Sequence, residues 1–285
     1  MERDGRGSPE FQEEVGARLS VAKRAAVRAG KAALSLQPYL NSKASQKKEG
    51  LADIVTDGDF LSQDIIIRAI ERNFPQDTIR SEELSDALGQ EGAGSFTWFL
   101  DPIDGTLSYS TGVEDWGVSI GVHKEGQPVV GVVYFPAFEK TYWATQGGGA
   151  FCNRERIHTR QNLRLKGMPI YFNSGFGTLE DMEVDTFLNL RFRGKVQYPA
   201  EPMCATLAIC RIAKGAGAHS DFHTYLSPFD LGAAVLILQE AGGVASQIDW
   251  SKPRQPMLVA ADRRIYNEVL EILGQEFISK IGLRP

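Results

Sequence analysis

Acidic side chains gather at four places in this chain: DIVTDGD (Asp53 to Asp59), SEE (Ser81 to Glu83), DPID (Asp101 to Asp104) and SPFD (Ser227 to Asp230). Each cluster follows a β-type step or opens a helical pattern, where side chains converge at the mouth of a sheet. Carboxylates collected this way, without a His/Cys cluster, suit hard cations such as Mg²⁺ or Mn²⁺ rather than zinc. Within DPIDGT, Pro102 fixes φ and removes a donor, stiffening the turn so that Asp101, the Ile103 carbonyl and Asp104 could face one centre. Gly105 allows close backbone approach, and Thr106 begins a helical stretch whose free N–H groups would bind a phosphate oxygen. The loop therefore reads as holding metals on one side and a phosphate on the other. The blander alternative is an Asx turn at Asp101 and an N-cap at Asp104. Three further acidic clusters in strand-end contexts weigh against it.

That chemistry is self-consistent. A phosphate monoester dianion repels a hydroxide, so divalent cations must neutralise it and lower the pKa of a bound water. Neither Cys152 nor any Ser lies in a nucleophile elbow, so direct attack by water without a phosphoenzyme is expected.

The elements that must position these residues follow from the rest of the chain. Its 285 residues, 42% hydrophobic with a formal charge of −5, fit one large or two modest globular domains. The slight acidity gives no reason to expect nucleic acid or an anionic membrane as partner, since both reward a basic face. The odd cysteine count, without paired or zinc-type spacing, argues for free thiols in a reducing compartment. No run of eighteen apolar residues and no signal-type segment occurs, so a cytoplasmic location is expected. Residues 1–12, with GSPEF resembling a cloning remnant, are set aside as a flexible tail.

Helical periodicity runs from Glu13 to about Tyr39 and again through LSQDIIIRAIERNF until Pro75. DTIRSEEL is a brief strand-like step before a Gly-rich acidic loop from Ser85 to Ser95, and FTWFL reads as a buried strand ending at the DPIDGT loop. Trp116 to Ala150 alternates β-branched and aromatic residues between turn signals, an antiparallel meander. Trp98, Trp116 and Trp143 are read as core side chains. Beyond the charged connector NRERIHTRQNLRLKG, MPIYFNSG reads as a strand. TLEDMEVDTFLNL, ATLAICRIAKGAGA and LSPFDLGAAVLILQEAGG read as helices, the last ending at Gly242 and Gly243. PMLVAA and RIYNEVLEILGQEF supply a final strand and helix. The fold class is thus mixed α/β (α+β), with residues 13–160 as an α+β half and 161–285 as an α/β half.

DIVTDGD, SEE, WFLDPIDGT, GGGAFCN and SPFDLGAAVLILQEAGG together resemble the ordered motifs of the inositol monophosphatase family, within the lithium-sensitive, magnesium-dependent sugar phosphatase superfamily. The likeness runs from about Lys48 to Gly243. It implies a layered αβαβα sandwich, a homodimer, two or three Mg²⁺ per site with Mn²⁺ as substitute, and inhibition by Li⁺ uncompetitive with substrate. By motif, Glu82, Asp101 and the Ile103 carbonyl match the first metal's ligands, and Asp101, Asp104 and Asp230 the second's. Asp59 and Thr106 match the pair that orients the attacking water, with Glu82 assisting through a third, weaker metal. Substrate contacts are expected at Gly105, Thr106, Ser174, Ala205, His223 and Lys48, while Lys47 reads as a solvated loop charge.

Ser81, Phe229 and Gly232 replace a glycine, a tryptophan and an alanine of the commonest family pattern. His223, with Asp221 nearby, falls where inositol-selective members carry a glutamate. It is either a surface-loop histidine or a specificity contact to a phosphate or polyol. SPFDLGAA is also similar to histidinol-phosphatase members. The expected substrate is a small polyol or sugar phosphate, inositol monophosphate first. Histidinol phosphate, fructose 1,6-bisphosphate and adenosine 3′,5′-bisphosphate are rivals, and a catalytically idle metal-binding regulator is the alternative of another class.

Overall fold

The computed structural model describes residues 8–39, 45–46, 54–84, 96–166, 168–173, 179–196, 199–200 and 203–285. Ser8 caps helix α1 (Pro9–Leu36): its hydroxyl oxygen accepts the Phe11 N–H, and Pro9 occupies the first turn, where a missing donor is harmless. The helix thus starts four residues before Glu13, and Phe11, set aside with the tail by sequence reasoning, is buried. Phe11, Val15, Ala22, Ala26, Ala29 and Ala33 form its buried stripe. A short ribbon of β1 (Ser45–Gln46) and β2 (Ile54–Val55) leads to α2 (Asp57–Asn73).

A seven-stranded sheet follows: β3 (Thr78–Ser81), β4 (Phe96–Asp104), β5 (Gly117–Lys124), β6 (Gln127–Phe135), β7 (Lys140–Thr145), β8 (Gly149–Cys152) and β9 (Glu155–Ile157). The strands lie in chain order; β3 and β4 are parallel and every later pair antiparallel, as the meander reading requires. The short α3 (Thr106–Ser110) interrupts between β4 and β5.

The remaining chain builds a five-stranded sheet from β10 (Ile170–Asn173), β11 (Pro199–Ala200), β12 (Ser220–Leu226), β13 (Val244–Ala245) and β14 (Gln255–Ala260), ordered β11-β10-β12-β14-β13. With it come α4 (Leu179–Phe192), α5 (Ala205–Ala213), α6 (Pro228–Glu240), α7 (Arg263–Leu273) and α8 (Gln275–Ile281). Sequence reasoning missed β12 and joined α7 to α8. Gly274, at φ +79°, breaks that helix in two.

Three cores stack these parts into five layers. The α1 and α2 stripes meet the outer face of the large sheet around Trp98, Trp116 and Ile120. Helices α5 and α6 are sandwiched between the sheets, against Val133 and Ala144 on one side and Met257 and Val259 on the other. Helices α4, α7 and α8 cover the far face of the small sheet. Trp98 and Trp116 are core, as read from sequence, whereas Trp143 is half-buried and stacks on Phe151. Arg18 makes two 2.8 Å hydrogen bonds to Asp77, which also accepts the Trp98 indole N–H, tying α1 to the start of β3. Removing one partner of such a buried pair would cost roughly 3–5 kcal/mol.

Close approach of α6 depends on small residues. A Cβ on Gly121 of β5 would lie 2.5 Å from the Gly232 backbone, so the two glycines let helix and strand touch. One on Gly232 would meet Phe99 at 3.2 Å, a physical reason for the missing alanine. No helix among the described residues is long and apolar enough to cross a membrane.

Candidate active site

Two site carboxylates are capping groups of their own helices. Thr56 caps α2, and Asp59 Oδ2 accepts both the Thr56 N–H (2.8 Å) and its hydroxyl (2.6 Å). Ser227 caps α6 in the same way: Asp230 Oδ2 accepts the Ser227 N–H at 2.8 Å and its hydroxyl at 2.7 Å. Capping boxes fix the first turn and the acid that closes it. Each helix therefore holds its acid in a defined place in its first turn.

The DPID segment is strand rather than loop. The β4–β5 register slips between Asp101, opposite Ser119, and Asp104, opposite Gly117, so β4 carries one extra residue there. A bulge of this kind tolerates Pro102 and re-aims the side chains beside it. Ser62 of α2 donates to the Pro102 carbonyl at 2.8 Å and pins the bulge. The Asx turn also exists, with Asp101 Oδ1 accepting the Ile103 N–H at 3.0 Å. The N-cap reading of Asp104 fails: Gly105, at φ +91°, caps α3, and Asp104 points elsewhere.

Asp104 Oδ2 accepts the Thr206 N–H (2.7 Å), the Thr206 hydroxyl (2.5 Å) and the Cys204 thiol (3.0 Å), all from the start of α5. Asp101, Asp104 and Asp230 each spend one oxygen on the protein. One oxygen from each also lies within 4.8 Å of those from the other two. Such an all-oxygen donor set fits a hard divalent cation. The repulsion within it is visible in the proton affinities. Burial raises Asp101 well above the usual carboxylate range, reinforced by Glu82, Asp104, Asp230 and Asp59. Burial also raises Asp230, with Asp104 adding and the Ser227 hydrogen bonds opposing. A bound cation would relieve this repulsion.

The other expected residues fall around this triad. The Glu82 N–H bonds the Leu100 carbonyl at 3.0 Å, prolonging the β3–β4 pairing, and its charge is felt at Asp101, though it is outside the triad. The Ile103 carbonyl accepts the Thr106 hydroxyl at 3.0 Å, while Asp59 Oδ1 is 3.5 Å from the same hydroxyl. Gly105 and Thr106 begin α3, and Ala205 begins α5 beside Cys204. Lys47, Lys48, Asp53, Ser174 and the 85–95 loop lie outside the described residues.

His223 is not on a surface loop. It lies on β12, buried, with Nε2 2.9 Å from Asp221 Oδ2. Burial lowers its proton affinity, but Asp221, Asp230 and Asp104 outweigh that and raise it overall. Asp221 is wholly buried, and its Oδ1 has no hydrogen-bond partner among the described residues.

Sequence reasoning missed Thr206 and the contact between Cys204 and Asp104, and treated Cys204 as an ordinary buried thiol. All three cysteines are indeed free and buried. No local pattern could have disclosed a contact spanning a hundred positions.

Residues 16–277 match the profile of the inositol monophosphatase family. The fructose-1,6-bisphosphatase/inositol-1-monophosphatase of Aquifex aeolicus is 32% identical over 263 residues, covering 89% of this chain and 94% of that protein. The putative Nus factor SuhB of Neisseria meningitidis serogroup B is 28% identical over 262 residues, 90% of this chain and 97% of its own. The solved inositol monophosphatase of Anabaena superposes with a TM-score of 0.77 at 26% identity, over 91% of this chain and 96% of that one.

Proposed function

Because the chain belongs to the inositol monophosphatase family, we propose that it is a Mg²⁺-dependent phosphomonoesterase acting on a small polyol or sugar phosphate, inositol monophosphate first. The carrying observation is the convergence of Asp101, Asp104 and Asp230, from separate elements, within 4.8 Å. Asp101, Asp104, Asp230, the Ile103 carbonyl and Glu82 would hold two or three Mg²⁺ ions, which when bound neutralise the phosphate dianion and acidify a water.

The chain's own groups do the rest. The Gly105 and Thr106 N–H groups, at the free end of α3, donate to the phosphate oxygens. The Thr106 hydroxyl has a single proton and donates it to the Ile103 carbonyl, which leaves its lone pairs to accept from a water. Asp59 Oδ1, 3.5 Å from that hydroxyl, takes the proton that water loses. Its other oxygen stays committed to the cap, so the carboxylate does not swing away.

Ala205, His223, Ser174 and Lys48 meet the substrate. His223, oriented by Asp221, contacts its non-phosphate part and selects among inositol, histidinol and sugar phosphates. Li⁺ at the second metal position inhibits, Mn²⁺ substitutes for Mg²⁺, the protein is a homodimer, and it works in a reducing cytoplasm where its three thiols stay free. The SuhB relative's name favours a second reading, an idle regulator built on the same fold. The test is phosphate release from inositol 1-phosphate, histidinol phosphate and fructose 1,6-bisphosphate, with Mg²⁺ or with EDTA, for the protein and for Asp101→Asn. Metal-dependent release lost in the variant supports the enzyme; no release from any substrate favours the regulator.

A further inference from the structure

On the outer face of the molecule, α1 and α2 leave a groove of about 400 Å³ between them. The helices run antiparallel: Arg18, early in α1, binds Asp77 beyond the end of α2, while Tyr109 packs beneath Gly58 at the start of α2 and donates to the Ala33 carbonyl late in α1. Arg24 and Arg28 on α1 and Arg68 and Arg72 on α2 all line the groove. Spacing of four residues places each pair on one side of its helix, about one 5.4 Å turn apart.

This charge is largely uncompensated. Asp64, the acid of the groove, pairs with Arg68 at 2.8 Å, and Arg24 bonds the Ser20 hydroxyl. Arg28 and Arg72 have no carboxylate partner among the described residues. Like charges at this spacing oppose helix formation, and the chain as a whole carries −5, so a basic average does not explain the cluster. Planar guanidinium forks match phosphate oxygens two at a time. The volume falls in the range of small-molecule sites, roughly 300–1,000 Å³.

We propose that the α1–α2 groove binds a compact oligophosphate anion, at a site separate from the carboxylate centre and independent of the phosphatase reading. Adjoining phosphoryl groups bridge Arg24 and Arg28 to Arg68 and Arg72. The apolar floor of Val21, Ala25, Ile65 and Ala69 keeps water from competing along one side.

The test is calorimetric titration of the full chain with sodium tripolyphosphate in EDTA at low salt, where the metal-free carboxylates repel anions. One saturable site is expected, weakened at least tenfold in Arg28→Gln/Arg72→Gln and tightened several-fold in Asp64→Asn, which frees Arg68. The distant pair Lys252→Gln/Arg254→Gln and Asp101→Asn should bind as the parent does. The gain in Asp64→Asn keeps the test readable should the double arginine variant unfold. Absence of saturable binding, or equal weakening by Lys252→Gln/Arg254→Gln, would overturn the proposal. So would loss in Asp101→Asn, or an oligonucleotide that binds these arginines when tripolyphosphate does not.

Discussion

The Cys204 thiol lies 3.0 Å from Oδ2 of Asp104, a hundred residues earlier, and both are buried. Burial pushes the thiol's pKa well up and the Asp104 charge adds to it, so sulfur acts as a proton donor, not a thiolate. With Thr206 it fixes the carboxylate that the second metal would need. Removing such an outer partner typically lowers metal affinity about 10–100-fold. Cys204→Ala should therefore raise the Mg²⁺ concentration for half-maximal phosphate release by roughly tenfold, while Cys204→Ser, which keeps a donor, stays near the parent. An unchanged Mg²⁺ dependence in Cys204→Ala would remove sulfur from this role.

Metal-free stability should fall as pH rises through the carboxylate range. Asp101, ordinarily near 3.8, is held well above that value, first by burial and then by Glu82, Asp104 and Asp230. The folded state thus binds more protons than the unfolded one between the ordinary and the raised pKa, and stability declines across that window as pH increases. In EDTA, melting temperature plotted against pH should fall less steeply for Asp101→Asn, and Mg²⁺ should flatten the parent's decline. A variant whose slope equals the parent's would count against the crowding of charge at Asp101.

His123 should act in the opposite direction. Burial between Phe99 and Trp250 lowers its pKa from 6.5 to about 4, and among the described residues neither ring nitrogen has a hydrogen bond of ordinary geometry, although the Gly232 backbone slightly favours the charged form. The unfolded chain takes up the proton first, so stability is full above pH 6.5 and lost as pH falls toward 4, by about 3 kcal/mol. His123→Leu, of similar volume, should lose this acid-side slope in denaturant titrations at pH 7 and pH 4.5. Equal acid sensitivity in parent and variant would place the effect elsewhere.

Substrate choice should pass through the Asp221–His223 pair. His223→Gln removes the imidazole and Asp221→Ala removes its anchor, so each should raise KM for the preferred substrate about tenfold with a smaller change in kcat. Acting through one ring, the two changes should be less than additive when combined. Ratios of kcat/KM across the substrate panel that do not move in either variant would make the pair structural.

The acids of the centre were legible because each belongs to a short local pattern. DPIDGT holds a proline and two acids within hydrogen-bonding reach, and Thr56 to Asp59 and Ser227 to Asp230 are capping boxes written in four consecutive residues. The meander was legible for the same reason, since alternation and turn residues act between neighbours. Less legible were the extension of β4 through the bulge and the strand at His223. Propensity gives no reason to prefer strand at Pro102, and the pairing of β12 with β10 and β14 supplies the backbone partners that hold SDFHTYL extended.

By itself the sequence marked the acids that meet at Asp101, Asp104 and Asp230, the short patterns that cap α2 and α6 with Asp59 and Asp230, and the family the chain belongs to. These depend on interactions across a few residues. Only the tertiary structure decided that Cys204 and Thr206 hold Asp104, that Asp221 orients His223, and that Arg24, Arg28, Arg68 and Arg72 line one groove. Such contacts arise where α5 and α6 settle between two sheets and where α1 lies antiparallel to α2. The geometry is set by close packing, as at Gly121 against Gly232, which no local periodicity encodes.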